Sequence, residues 1–264
     1  MNLELTERVV IVTGGSSGIG LEIGRLFAAE GARVVITARG VDALRAAARD
    51  ITASTQAKVL AVPSDTTDQV QIDRMATAVL EEHGRIDILV NCAANPSGLV
   101  RGGIEELDSD ALLRDLNTKV VGYARCARAV VPTMKQQHWG RIINIGGLTG
   151  RGSNLLSGMR NVAICHLTKT LSDQLGPHGI TVNVVHPGVI RTPHLTDLFA
   201  REARQAGTTP AAIEESFVAQ TPTRRILEAQ EIASTVAFLA SVHGASITGE
   251  SLAVDGGITR GIFL

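Results

Sequence analysis

The sequence predicts an α/β fold, a doubly wound sheet of seven parallel strands with helices on both faces. Three observations predict it: seven short β-branched runs, helical stretches between them, and a glycine-rich turn joining the first run to the first helix. The runs are Arg8–Thr13, Arg33–Thr37, Lys58–Val62, Ile86–Asn91, Arg141–Ile145, Ile180–Val185 and Ser251–Val254. They are continuously apolar rather than alternating, as strands covered on both faces require. Between the first two, Ile19, Ile23, Leu26 and Phe27 recur at i, i+4, i+7 and i+8, which marks a helix with one buried face. Right-handed crossovers between successive strands then give a parallel sheet.

A chain of 264 residues with 44% hydrophobic content buries one large core, so a single domain over 1–264 is expected. One segment departs from the alternation. From Thr192 to Arg224 two helices surround a Gly-Thr-Thr-Pro turn after the sixth strand. In open parallel sheets the ligand lies beyond the carboxyl ends of the strands, so this insertion, about 192–224, is a candidate substrate lid. A solvent-facing helical pair with no role at the ligand is the plainer alternative.

The net charge is -1 and the charges are mixed, which argues against nucleic acid and an anionic membrane surface as partners and leaves a small molecule. The three cysteines, Cys92, Cys126 and Cys165, are widely spaced and lack a second thiol or histidine at ligand spacing, so no metal site is expected and a reduced, cytoplasmic setting fits. The opening residues lack the basic start and long apolar stretch of a signal peptide, and no run is long enough to span a bilayer.

The turn after the first strand reads Thr13-Gly14-Gly15-Ser16-Ser17-Gly18-Ile19-Gly20. Glycines permit a tight turn and close approach of backbone to a pyrophosphate, while the helix N-terminus offers free N–H groups and the positive end of its dipole. With Gly14, Gly18 and Gly20 in a TGxxxGxG pattern, the chain resembles the classical short-chain dehydrogenase/reductase family along nearly its whole length. The resemblance implies a Rossmann-type fold, a nicotinamide dinucleotide and a homodimer or homotetramer. It assigns Gly14, Ser16, Ser17, Gly18, Ile19 and Gly20 to the cofactor turn, with Asp65 and Thr66 at the adenine. Asn91 and Ala93 belong to an altered NNAG stretch, Asn117 matches the family's central-helix Asn, and Pro187, Gly188, Ile190 and Thr192 resemble the loop around the carboxamide. The apolar residues on several faces of 117–134 and of the helix after Ser157 fit a subunit interface.

At the end of the second strand a carboxylate would accept from the ribose 2′-OH of NAD, whereas an arginine would attract the 2′-phosphate of NADP. Ala38 stands where that acid falls and Arg39 follows it, so NADP(H) is favoured and NAD(H) remains possible.

The family's activity, as the resemblance implies, uses a Ser to polarise a carbonyl, a Tyr to exchange the proton and a Lys four residues later to lower the Tyr pKa. Here the fifth strand ends in Gly146-Gly147, and registering the next helix from 167–171 puts Ser157 at the Tyr position and Asn161 at the Lys position. The only tyrosine is Tyr123, upstream of that strand, and the only lysine between 136 and 264 is Lys169. Tyr123 lies six residues beyond Asn117, which turns it away from that residue's helical face. No tyrosine–lysine pair is therefore expected beside the reactive ring, an expectation that Tyr123 pointing into the groove would undo.

Three readings follow. In the first, an NADP(H)-preferring oxidoreductase works through a relay of Asn117, Ser157, Asn161 and water, with His186 or His194 as substitute acids. In the second, the domain binds cofactor without redox chemistry, as a sensor or structural subunit. In the third, Arg160 serves non-redox chemistry of the halohydrin dehalogenase kind; this ranks last, because those relatives give up the glycine turn that this chain keeps.

Overall fold

The computed structural model describes residues 1–95, 99–100, 103–152 and 155–261. In chain order the main elements begin with β1 (Val9–Thr13), α1 (Gly18–Ala29), β2 (Arg33–Thr37), α2 (Val41–Thr55), β3 (Leu60–Ala61), α3 (Gln69–His83) and β4 (Ile88–Asn91). There follow α4 (Ser109–Leu116), a π-helical turn (Asn117–Val121), α5 (Gly122–Gln137), β5 (Gly140–Ile145), α6 (Gly158–Leu175) and β6 (Ile180–Pro187). The chain continues with β7 (Ile190–Arg191), α7 (Pro193–Ala206), α8 (Pro210–Gln220), β8 (Leu227–Glu228), α9 (Ala229–Ala240) and β9 (Ser251–Val254).

Seven strands form a parallel sheet in the order β3-β2-β1-β4-β5-β6-β9. The order reverses direction at β1, and that reversal opens the crevice in which such sheets bind ligands. Alternate residues of β1 explain its unbroken apolar run: Val10 and Val12 join the core under α1, α2 and α9, while Val9 and Ile11 join the core under α3 and α5. Both cores are closed to water.

Helix boundaries follow local chemistry. Asp68 caps α3, its carboxylate accepting from the N–H groups of Val70 and Gln71, and Gly84 ends that helix at φ 72°. The two helices foreseen between 192 and 224 are α7 and α8, each opened by a threonine cap with a proline just inside. They enclose a satellite core of Leu195, Phe199 and Ile226, and Arg191 on β7 pairs with Glu214 on α8 and Glu228 on β8.

Two expectations about elements need correction. The third strand is two residues long, Leu60–Ala61, rather than Lys58–Val62. The helix foreseen over 117–134 is not uniform: a π turn at Asn117–Val121 separates α4 from α5 and interrupts the 3.6-residue phase assumed from sequence.

Candidate active site

A cleft of about 640 Å³ lies at the carboxyl ends of the strands. Its base is built by β1 and β4: Thr13 Oγ1 accepts from the N–H groups of Cys92 (3.0 Å) and Ala93 (3.1 Å), which clamps the two strand ends together. The amides of Gly14 and Gly15 donate to the Thr37 carbonyl, fixing the turn against β2.

The glycines of this turn are sterically required. A Cβ on Gly20 would stand 2.3 Å from the Gly14 carbonyl oxygen, and one on Gly14, whose φ is +68°, would stand 2.9 Å from Ala93 Cα. No side chain caps the start of α1, and its first turn holds no acid. The amides and positive dipole end of that helix thus face the cleft between Ser16, Ser17, Gly18 and Ile19. Among the described lining residues there is no Asp or Glu, whereas Arg39, Lys119 and Arg160 all line the cleft. Arg39 is exposed and forms no ion pair among the described residues. An uncapped helix start, a glycine cradle and a wall with no carboxylate among its described residues fit a dinucleotide diphosphate.

The opposite end of the cleft holds the polar side chains. Lys119, in the π turn, is 3% exposed. Its Nζ donates to the Gly146 carbonyl (2.7 Å) and to Asn161 Oδ1 (2.8 Å), and Asn161 Nδ2 donates to Thr149 Oγ1 (2.7 Å). Burial, with the nearby charge of Arg160, brings the Lys119 ammonium down to about 7. Arg160 is itself held by a buried ion pair with Asp115. Tyr123, four residues beyond Lys119, also lines the cleft; its hydroxyl donates to the Ile145 carbonyl (3.1 Å), and its ring centroid is 6.0 Å from Lys119 Nζ. Burial holds the Tyr123 phenol well above its ordinary range and pushes the Cys92 thiol up to about 12.

The residues singled out from sequence divide clearly. Gly14, Ser16, Ser17, Gly18, Ile19, Gly20, Arg39, Thr66, Ala93, Asn161, Pro187, Gly188, Ile190 and Thr192 all line the cleft. Asp65, Asn91, Asn117 and Ser157 are not among its walls. Asp65 turns back to accept from the amide and hydroxyl of Thr67, and Asn91 donates to Asn144 Oδ1 beneath the strand ends. Asn117 is half-buried, and its carbonyl accepts from Arg125. Ser157 is closed to solvent, its hydroxyl oxygen accepting from the Val100 amide (2.7 Å).

His186 is fully buried under the Gly146-Gly147 turn, between Gly147 on one ring nitrogen and Ser251 and Cys165 on the other, and burial lowers its pKa. His194 stands at the cleft wall at the start of α7. Tyr123 packs against Ile164 and Val184. Tyr123 and Lys119 nonetheless both line the cleft, in the order Lys-x-x-x-Tyr rather than the family's Tyr-x-x-x-Lys.

Lys119 escaped the sequence reading, which looked for a lysine only beyond the fifth strand. The available signal was a lone lysine two residues after Asn117, in an otherwise apolar stretch, with the chain's single tyrosine four residues further on.

Comparison with known proteins gives a consistent picture. The family described as "Enoyl-(Acyl carrier protein) reductase" matches residues 14–259. The short-chain reductase protein NovJ of Streptomyces niveus is 36% identical over 259 residues, covering 95% of this chain and 94% of that protein. The NADPH-dependent reductase BacG of Bacillus subtilis is 30% identical over 262 residues, covering 98% of this chain and all of the relative (100%). Among solved structures, L-sorbose reductase from Gluconobacter frateurii, complexed with NADPH and L-sorbose, superposes with a TM-score of 0.93 at 29% identity, covering 99% and 100% of the two chains.

Proposed function

Since the chain belongs to the short-chain dehydrogenase/reductase family, we propose that it is an NADP(H)-preferring oxidoreductase that interconverts a small carbonyl compound and its alcohol. The observation that carries this reading is a cleft with a glycine cradle at an uncapped helix start and no carboxylate among its described lining residues. The turn from Gly14 to Gly20 holds the diphosphate, and Ala93, Pro187, Gly188, Ile190 and Thr192 flank the nicotinamide end. Arg39 meets the 2′-phosphate: no acid at Ala38 repels it, and no ion pair among the described residues competes for the guanidinium. The NADPH in the names of BacG and of the sorbose reductase complex supports the same choice.

When bound, the cofactor supplies a hydride to the carbonyl carbon. The chain's own contribution is to orient the substrate, exclude water and handle a proton at the substrate oxygen. Neither a serine at the end of β5 nor a tyrosine at position 157 does this here, so the catalytic set is non-standard for the family. Helices α7 and α8 cover the mouth as a substrate lid within a single-domain chain: Leu195, Leu198 and Phe217 face the cleft, and the satellite core that holds them is separate from the main cores. The exposed Leu113, Val121, Met159 and Val162, on α4, the π turn and α6, fit a homo-oligomeric contact.

Fluorescence titration with NADPH and NADH, followed by loss of reduced-nicotinamide absorbance against a panel of carbonyl compounds, tests the reading. NADPH binds at least 10-fold more tightly than NADH, since one charge-assisted contact is worth about 1.5–3 kcal/mol, and Arg39→Asp reverses the order. Equal affinities in both proteins would refute the assigned phosphate contact, and tight binding without turnover on any carbonyl would favour a cofactor-binding protein that is not an enzyme.

A further inference from the structure

We propose that Lys119 is the acid of this cleft: its ammonium, anchored by the Gly146 carbonyl and Asn161 Oδ1, gives its remaining proton to the oxygen of the carbonyl substrate. The proposal rests on the oxidoreductase reading above and adds to it the group that completes the reaction.

The geometry favours Lys119 over Tyr123, Arg160, Ser157 and His186. An ammonium carries three N–H donors, and two are engaged, at 2.7 and 2.8 Å, with acceptors on different elements, so the nitrogen is fixed in place and, among the described residues, one donor is left for a ligand. Tyr123 spends its only proton on the Ile145 carbonyl. Arg160 is bound to Asp115 and does not release a proton. Ser157 is no part of the cleft wall, and His186 lies beneath the turn at β5.

The groups around Lys119 set its acidity. Arg160 and Cys165 on α6, Asp115 on α4, Cys92 after β4, Tyr123 on α5 and His186 on β6 surround it. Burial is the largest influence and the Arg160 charge the next, and together they bring the ammonium to about 7. An acid is most useful when its pKa lies near the working pH.

The step balances. As the hydride arrives on carbon, the C=O π pair withdraws to oxygen and an N–H bond of Lys119 breaks to form the O–H bond. The carbonyl is reduced, the nicotinamide oxidised, and the neutral amine left on Lys119 is recharged by a proton from water. Oxidation of the alcohol runs the same transfer backwards, with the neutral amine as base.

The test uses the full chain and its Lys119→Met and Lys119→Gln variants; Gln keeps N–H donors for Gly146 and Asn161 but has no proton to give. Both variants are expected to bind NADPH and to lose at least ~100-fold in carbonyl reduction, the usual scale of a positioned acid. Wild-type reduction falls as pH rises through about 7, and in protein labelled with 15N-lysine the Nζ signal missing from both variants titrates at the same midpoint.

Turnover that survives either Lys119 variant overturns the proposal alone. So does loss of activity in Tyr123→Phe with Lys119→Gln unaffected, or a borohydride-trapped substrate adduct on Lys119, which would make it a nucleophile. A wild-type protein that oxidises NADPH with no carbonyl overturns the functional reading and the proposal together.

Discussion

Replacing Lys119 by methionine changes how stability depends on pH, whatever the protein's substrate. In the folded chain the ammonium falls from its ordinary 10.5 to about 7, because burial penalises the charge. Below that lower value both folded and unfolded chains hold the proton, and pH has no effect through this group. Between the two values the unfolded chain binds a proton that the folded chain has released, so raising the pH favours the folded state. Each pH unit in that window is worth ~1.4 kcal/mol. From about pH 6 to about pH 9 some two units count, so the wild type gains ~2.7 kcal/mol relative to Lys119→Met, or ~5–10 °C in Tm for a chain of this size. The variant also leaves the Gly146 carbonyl and Asn161 Oδ1 without their donor, at ~1–3 kcal/mol each, but that cost does not vary with pH. Urea unfolding of the two proteins across this range measures the difference directly, since every other titrating group is common to both. A difference that stays flat, or that shrinks with rising pH, would refute the depressed pKa and with it the acidity assigned to this lysine.

Two other substitutions have outcomes set by distances in the structure. Gly20→Ala forces a methyl to 2.3 Å from the Gly14 carbonyl oxygen and is expected to weaken NADPH binding at least ~10-fold, the loss of about one charge-assisted hydrogen bond, in a fluorescence titration. Gly146→Ser places its Cβ 2.4 Å from His186 Nδ1, an overpacking that costs ~1–3 kcal/mol, and a second change, His186→Ala, recovers part of it in thermal melts.

The fold was legible wherever a strand carries its signature in consecutive residues, β3 with its two residues excepted. Val9 through Val12 are all apolar because alternate members face different cores, and no distant information was needed to see it. The glycine turn was nearly as local: Gly20 answers to a contact within one strand–turn–helix unit and Gly14 to the adjoining strand end, while Gly18 takes a φ of +54° and faces Thr192. The other half of the site was harder to read, since the identity of a side chain does not give its direction. Asp65, Asn91 and Ser157 have the chemistry expected of site residues, but Asp65 bonds its own turn at Thr67, and Asn91 and Ser157 bond buried partners. Lys119 reaches the cleft from a turn wound with a π register, which no count at 100° per residue locates. Its partners, Gly146 and Asn161, lie 27 and 42 residues away along the chain.

The residues that look like losses at β5 and α6 are the ones that make room for Lys119. Gly146 supplies the carbonyl that accepts from its ammonium, and the volume beside Gly146 Cα is filled by the His186 ring. Asn161 supplies the second acceptor, and a Cβ on Gly147 would stand 2.9 Å from Asn161 Nδ2. Returning a lysine to position 161 is therefore expected to harm the protein rather than repair it. Asn161→Lys removes the Oδ1 acceptor and sets a second cationic side chain beside a buried ammonium that Arg160 already disfavours. Like charges that share a buried site cannot both stay ionised, so the Lys119 pKa falls further, the acid is lost at neutral pH, and carbonyl reduction drops with its pH midpoint shifted downward. A pH–rate profile of Asn161→Lys beside the wild type decides the matter. Higher activity in the variant would mean that the position still serves the family's usual arrangement and that Lys119 is only a structural ion beneath it.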